Sequence, residues 1–341
     1  SQFHVFGVTT IIIALITYCM APIVATQPSW FYVMVVVTVL LLTELKHTFT
    51  EFAQRMKNDE MITLAKFLAI SGIILPMLPH KNLIPDINLT PYSIWLATVV
   101  VSGISYLSYL LKRYVFHESG TLVSGIIGGL YSSTATISVL ARKSRKASEQ
   151  EATDYVAAML LAVSMMFLRF MILILIFSRE IFLSIYPYLL IMAVVAAIVA
   201  WFIHSRQKRP EDQPAETEED DSSNPLEFKV ALIFAVLFVI FTFLTHYTLV
   251  YAGTGGLNLL SFVSGFSDIT PFILNLLQNT GSVAALIVTA CSMQAIISNI
   301  MVNMFYALFF AGKGSKLRPW ILGGFGVVIT CNLVLLLFFY I

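Results

Sequence analysis

Two charged side chains stand within stretches of the chain that are otherwise apolar. Arg169 lies near the middle of the run from Tyr155 to Phe177, and Asp268 lies in the run from Leu257 to Leu277. A charge inside a membrane segment costs at least about 2.5–3.5 kcal/mol, so it must face a partner, water or the bundle interior. Two interpretations stay open: the residues pair and hold the protein together, or they form part of a charged substrate site.

Hydroxyl side chains form a second pattern. The stretch from Gly120 to Arg145 contains paired glycines followed by Ser132, Ser133, Thr134 and Thr136. Such residues weaken a continuous helix, and irregular polar backbone is tolerated in a membrane only where it is buried or lines a water-filled cavity. The stretch therefore predicts a substrate or ion path. The candidate binding residues are hydroxyl, charged and amide side chains: Ser132, Ser133, Thr134, Thr136, Arg169, Asp268, Thr270, Asn299 and Asn303.

Some of these residues have a simpler interpretation. Asn299 and Asn303 lie four positions apart, on one face of a predicted helix, where amides often join helices by hydrogen bonds. Gly125 and Gly129 fit the GxxxG pattern, which is typical of close helix packing. Both the structural and the functional interpretation of the asparagines stay open.

The composition predicts the fold class. The chain has 341 residues, of which 58% are hydrophobic and 11% charged, whereas soluble domains carry about 25% charged residues. Apolar runs of about 20 residues recur along the chain, which predicts an all-α polytopic membrane protein with about 9–11 membrane segments. The lipid bilayer is therefore an expected partner. Nucleic acid is not expected, because the basic residues lie in short loops between the apolar runs.

No pattern in the sequence predicts catalysis. The three cysteines are far apart, no HExxH or Walker motif is present, and no Ser-His-Asp arrangement can be defended. We therefore expect neither an enzyme nor a bound cofactor. A metal ion, coupling to H⁺, Na⁺ or Mg²⁺, and assembly into a homo-oligomer are questions that the sequence leaves open.

An internal repeat organises the chain. Thr121–Ala141 aligns with Gly256–Leu277, which places SGIIGGLYSSTAT over LSFVSGFSDITPF. Three small or polar residues match across the copies: Gly129 with Gly265, Ser132 with Asp268, and Thr134 with Thr270. The spans that follow, VAAMLLAVSMMFL from Val156 and VAALIVTACSMQAI from Val283, are also similar. A unit of four apolar segments therefore occurs twice.

The repeat predicts four regions along the chain. They are an N-terminal three-helix segment at 1–91, a first repeat at 92–204, an acidic soluble linker at 205–224 and a second repeat at 225–341.

Loop charges predict how the repeats are oriented. If every apolar segment crossed the membrane, Lys112 and Arg113 would lie opposite the basic run at 142–146, against the positive-inside tendency. The conflict disappears if residues 121–142 and 256–278 are re-entrant hairpins entering from opposite sides. The two halves would then be inverted repeats. Ordinary spans made flexible by small residues are the alternative.

Several motifs resemble a known family. The runs GIIGGLYSSTATISVLARKSRK, LAKFLAISGIILPMLP, SGISYLSYLLKR and SGFSDITPF are similar to MgtC/SapB-type membrane proteins with a long C-terminal domain of unknown function. The likeness extends from Gly7 to about Gly312. It implies a multi-pass protein of the bacterial cytoplasmic (inner) membrane. It also implies a regulator that binds other membrane proteins more than a magnesium carrier. Ile11 stands where the family commonly has an acidic residue.

The patterns favour a secondary transporter or channel that moves a small ion or anionic solute by alternating access around a midplane site. Arg169 favours an anionic substrate, and Asp268 favours cation or proton coupling. Two alternatives are an MgtC-like regulator that binds a partner protein, and a protein that moves lipid or lipid-linked substrates. A carrier predicts solvent-accessible hydroxyls, a regulator predicts packed ones, and a lipid handler predicts a groove open to the bilayer.

Overall fold

The structure is a computed structural model. It describes residues 8–26, 28, 31, 33–40, 58–84, 87, 89–116, 120–145, 149–206, 228–278, 284–312 and 317–340. The predicted acidic linker at 205–224 lies outside the described residues beyond position 206. The chain divides into two compact units, Ser1–Lys66 and Phe67–Ile341.

The first unit contains helix α1 (Val8–Thr26), a helical stretch at 33–40 and most of helix α2 (Asn58–Ala69). Pro22 lies inside α1, and Thr26 Oγ1 donates a hydrogen bond of 2.8 Å to its carbonyl. Each of the three apolar runs expected before residue 91 therefore contains described helix. The predicted domain boundary at 91 stays a prediction.

In the second unit, a π-helical turn at Ile70–Ile74 and a short helix at Leu75–Met77 precede helix α3 (Pro91–Leu110). Thr90 starts α3, because its hydroxyl accepts from Ser93 N at 2.9 Å and Pro91 suits the first helical position. Later helices are α4 (Thr121–Lys143), α5 (Glu149–Phe177), α6 (Arg179–Ser205), α7 (Phe228–Ser264), α8 (Ile269–Gln278), α9 (Ala285–Ala311) and α10 (Arg318–Tyr340).

The predicted fold class is confirmed. The described residues form no β-strand, and eight of their helices are long and apolar enough to cross a membrane. Two apolar helical stretches are shorter: Ala14–Thr26 within α1, and Ile269–Gln278, which is α8. Large apolar side chains such as Trp201 and Leu259 are exposed on the outside, as expected of a surface that faces lipid. The chain is an all-α polytopic membrane protein.

Helix α4 is broken at Ser132, whose backbone is extended with φ −158° and ψ 107°. A β-carbon built on Gly128 would lie 2.5 Å from Thr136 Oγ1. Residues eight positions apart in a straight helix are separated by about 12 Å along its axis. The halves 121–131 and 133–143 therefore fold back on each other. We call residues 121–143 the first hairpin.

Helix α7 bends at Gly253, whose φ of 60° and ψ of −152° suit only glycine. A half-helix at 254–264 follows, then a turn at 265–268, then α8. The Phe272 ring contacts Phe241 at 5.6 Å, and Asn275 Nδ2 donates to Thr242 Oγ1 at 2.6 Å. Residues 254–264 run along α9 away from its beginning, since Cys291 Sγ donates to Asn258 Oδ1 and Ser298 Oγ donates to Phe262 O. Helix α8 returns to the beginning of α9, because α9 starts a few residues after Gln278. Residues 254–278 form the second hairpin.

The two hairpins open toward opposite ends of the bundle. Gln278, at the end of the second hairpin, donates from Nε2 to Ser93 O at the beginning of α3. Arg145, just past the first hairpin, donates from Nη2 to Phe309 O near the end of α9. Helix α9 begins a few residues after Gln278 and is about 40 Å long, so its far end lies at the opposite end of the bundle. This arrangement agrees with the predicted inversion.

Glycine contacts show how each hairpin packs against the long helix that follows it. A β-carbon on Gly129 would lie 2.5 Å from Ala162 Cα, and one on Gly265 would lie 2.3 Å from Ser298 Cβ. The partner lies 33 positions later in both repeats. Aligning Val156 with Val283 would instead place Ala162 opposite Thr289. The likeness of the two spans therefore does not give the register in which they pack against the hairpins, because similarity between apolar runs carries little information about which residues face a neighbouring helix.

Candidate functional site

A cavity of about 440 Å³ lies where the two hairpins meet α3, α5, α7 and α9. We call it the central cavity. Its polar lining residues come from both repeats: Ser102, Ser105, Tyr131, Ser132, Ser133, Thr134, Arg169, Ser267, Asp268, Thr270, Asn299 and Tyr306. Apolar residues form the rest of the lining: Val101, Met166, Phe170, Ile233, Phe234, Leu237, Phe266, Ile269 and Val302, with Gly129 between them.

Each hairpin directs a capped helix N-terminus into the central cavity. Ser132 Oγ accepts a hydrogen bond of 3.3 Å from Ala135 N, and Asp268 Oδ1 accepts one of 2.9 Å from Thr270 N. Ser132 and Asp268 are the residues that the repeat alignment pairs. The first turn of a helix carries free N–H groups and about half a positive charge. Two such ends therefore face one cavity.

Two hydroxyls in these first turns face the cavity without a partner among the described residues. Ser133 is 8% exposed and Thr270 is 2% exposed, and both line the central cavity. Neither hydroxyl has a hydrogen-bond partner among the described residues. Their oxygens are not among the fully buried atoms, so both hydroxyls can bind water or a ligand in the cavity.

Arg169 of α5 bonds the first hairpin and interacts electrostatically with the second. Its Nη1 donates a hydrogen bond of 2.8 Å to Tyr131 O, at the end of the half-helix 121–131. It is also attracted electrostatically by Asp268. Both side chains are described by the structure, and no hydrogen bond joins them directly. Arg169 Nε is buried and has no partner among the described residues. The guanidinium can therefore donate a further hydrogen bond to a ligand in the cavity.

The amides of α9 support the tip of the second hairpin. Asn299 Nδ2 donates to Gly265 O at 3.2 Å, and Asn303 Nδ2 donates to Asn299 Oδ1 at 3.1 Å. Asn299 lines the central cavity, whereas Asn303 is fully buried one helical turn further on. Asn303 therefore orients the amide of Asn299 without itself lining the cavity.

Most of the predicted site residues meet at this cavity. Seven of the nine line it: Ser132, Ser133, Thr134, Arg169, Asp268, Thr270 and Asn299. Asn303 and Thr136 do not. Thr136 lies against Gly128 inside the first hairpin, because the fold-back at Ser132 turns it away from the tip. Their roles in binding stay predictions.

Sequence reasoning missed several polar lining residues. Ser102 and Ser105 come from α3, and their spacing of three places them on one helical face. Tyr306 follows Asn303 by three positions on α9. In both cases the spacing of three residues could have indicated a shared helical face. Among the residues that the structure describes, no three His, Cys, Asp or Glu side chains come together to hold a metal ion.

Comparisons with known proteins identify the family. An uncharacterized protein from Aquifex aeolicus (strain VF5) is 25% identical over 224 residues, which cover 65% of this chain and 96% of that protein. No solved structure matches the chain. The resemblance to MgtC/SapB-type proteins stays a prediction. The family described as "Domain of unknown function (DUF4010)" matches residues 99–311, from α3 to the end of α9 and including the whole central cavity, and the chain belongs to this family.

Proposed function

We propose that the protein is a secondary transporter or channel that moves a small ion or anionic solute through the central cavity. The observation that carries the proposal is the meeting of two broken helices from inversely oriented repeats at one polar cavity. Broken helices whose ends face a substrate near the midplane are typical of secondary transporters. Alternating access would expose the cavity first to one side and then to the other.

The position of Asp268 supports an aqueous cavity. Asp268 is exposed although it lies at the tip of the second hairpin, away from either end of the bundle. A carboxylate facing lipid at that depth would cost several kcal/mol. Water in the central cavity removes this cost, and it also supplies partners for the hydroxyls of Ser133 and Thr270.

One observation favours a second candidate, the movement of lipid or lipid-linked substrates. Ile233 and Phe266 line the central cavity and are 51% and 63% exposed. The cavity therefore reaches the apolar outer surface of the bundle. The regulatory alternative would instead predict packed hydroxyls, and the lack of partners for Ser133 and Thr270 supports transport over it.

Flux measurements test the proposal. The full chain is reconstituted into liposomes, and uptake of radiolabelled inorganic ions and small carboxylates is compared with protein-free liposomes. Arg169→Gln should reduce the uptake about ten- to a hundredfold, because hydrogen bonds to charged groups contribute about 1.5–3 kcal/mol. Arg145→Gln is the matched control, since Arg145 bonds Phe309 O outside the cavity.

The possible outcomes separate the candidates. Equal loss in both arginine variants, or no loss in Arg169→Gln, would contradict a transport role for the cavity. Absence of flux together with rapid scrambling of a fluorescent phospholipid would favour lipid movement. Absence of both activities would favour the regulatory alternative.

A further inference from the structure

The size of the central cavity is the first clue to its ligand. Its volume of about 440 Å³ is far larger than that of an inorganic ion, since one water occupies about 30 Å³ in the liquid. Cavities of about 300–1,000 Å³ are typical of sites for small organic molecules. An inorganic ion alone would leave most of the cavity to water.

The lining divides into a polar and an apolar part. The hairpin tips contribute polar groups such as Ser133 and Asp268, whereas Met166 and Phe170 of α5 and Phe234 and Leu237 of α7 contribute apolar surface. A ligand that fits both parts has a polar head and an apolar body.

The two helix N-termini at the cavity differ in charge. The N-terminus of α8 is capped by a carboxylate, because Asp268 accepts from Thr270 N, and this negative charge offsets the helix dipole. The half-helix 133–143 is capped only by the neutral hydroxyl of Ser132, so its positive end is not compensated. Arg169 lies at the same place, bonded to Tyr131 O. The first hairpin therefore presents the positive side of the cavity.

We propose that the central cavity binds a small organic anion whose charged oxygen group contacts Arg169, the hydroxyl of Ser133 and the N-terminus of the half-helix 133–143. Its apolar body lies against Phe170 and Phe234. The charged group is a carboxylate or a phosphate ester, which offer the same acceptor oxygens to these donors. Asp268, which attracts Arg169 electrostatically, caps α8 and is not a ligand contact in this proposal. This inference deepens the proposed function and names its substrate class.

A binding measurement on the purified full chain in detergent tests the inference without requiring transport. The probes are hexanoate, benzoate and hexyl phosphate, with hexanamide and benzamide as neutral analogues, hexylammonium as a cation and inorganic phosphate as a bare anion. Binding is followed by the rise in melting temperature with ligand concentration. We expect at least one organic anion to raise the melting temperature and its neutral analogue to have no effect.

Variants at Ser132 locate the charged group. Asp and Asn both cap helices well and have nearly the same shape, so they differ mainly in charge. Ser132→Asp should weaken binding of the organic anion about ten- to a hundredfold more than Ser132→Asn, because it places a negative charge beside the ligand. Thr245→Val is the matched control: Thr245 is buried, its hydroxyl has no partner among the described residues, and it does not line the cavity.

Several results would overturn the inference. They are stabilisation by the amides or by hexylammonium equal to that by the anions, stabilisation by inorganic phosphate alone, no stabilisation by any organic anion, and equal binding in the two Ser132 variants. A carboxylate that stabilises more than hexyl phosphate, or the reverse, identifies the head group. If an organic anion binds but does not cross proteoliposome membranes, the proposed function fails and this inference stands. If another solute is transported and no organic anion binds, the reverse holds.

Discussion

The two hairpins bring the same kind of helix end to the central cavity, but their contacts with the neighbouring long helix differ in part. Gly125 and Gly129 of the first hairpin lie so close to α5 that an added β-carbon would come within 2.3 and 2.5 Å of its backbone. The second hairpin is held by hydrogen bonds from α9: Ser298 Oγ donates to Phe262 O at 2.7 Å, and Asn299 donates to Gly265 O. Gly265 of the second hairpin also lies close to α9, since an added β-carbon would come within 2.3 Å of Ser298 Cβ. Both hairpins therefore pack closely through glycine, and the second has hydrogen bonds from α9 in addition.

This difference teaches where each repeat tolerates change. Where backbone packs directly on backbone, no flexible side chain can move aside to make room. The first hairpin should therefore be rigid and sensitive to added volume. The hydrogen bonds of the second hairpin each contribute about 1 kcal/mol, so the loss of one should cost less stability than volume added at a closely packed glycine. The caps of the two hairpins also differ in charge, since Ser132 caps with a neutral hydroxyl and Asp268 caps with a carboxylate.

The largest expected effect is that of Gly129→Ala. Its methyl group would lie 2.5 Å from Ala162 Cα and 2.7 Å from Ala162 O, and backbone cannot yield as a side chain would. We expect a loss of about 3 kcal/mol in the free energy of unfolding, measured by detergent titration in mixed micelles. Gly326→Ala is the control, because nothing lies within 4 Å of that position. Equal effects of the two variants would show that the first hairpin is not packed by shape.

The next effect tests the fold-back of the first hairpin. Gly128→Ala should destabilise the protein, because its methyl group would meet the side chain of Thr136. Thr136→Ala removes the Oγ1 and Cγ2 atoms that this methyl group would meet, so it should restore about 1–2 kcal/mol of the lost free energy of unfolding. A double-mutant cycle of unfolding free energies measures this coupling. In an unbroken helix the two residues would be too far apart to couple, so strictly additive effects would contradict the hairpin.

The smallest effect concerns the second hairpin. Ser298→Ala removes one hydrogen bond to Phe262 O, so we expect a loss of about 1 kcal/mol in the same titration. Thr245→Val is again the control, since the hydroxyl that it removes has no partner among the described residues. A loss as large as that of Gly129→Ala would remove the contrast between the hairpins.

Much of this arrangement could be predicted from the sequence. The apolar runs predicted the fold class, and the glycines and hydroxyls predicted irregular segments at 121–142 and 256–278, because such residues weaken a continuous helix. The position of the break at Ser132 was not predicted. The basic loops predicted that the first hairpin returns to the end where it begins. Arg169 and Asp268 were found because charges are rare in apolar segments.

Other features could not be predicted, for physical reasons. The position of Thr136 depends on the angle at Ser132, which residue types do not specify. Gly265 packs against a small residue of α9, and α9 contains several small residues. The sequence therefore does not show which of them faces Gly265. Serines of α3 joined the cavity through packing between distant segments, which a single sequence does not encode locally.

The central claim is that both hairpin tips face one aqueous cavity, and thiol labelling tests it most directly. Ser133→Cys and Thr270→Cys are made separately in a chain whose three native cysteines are replaced, and Ala196→Cys serves as the control because Ala196 is fully buried. A membrane-impermeant reagent is then added to either side of sealed vesicles. We expect both tip positions to react and Ala196→Cys to stay unlabelled. If either tip cysteine stays unlabelled from both sides in the folded protein, the claim of a shared aqueous cavity is wrong.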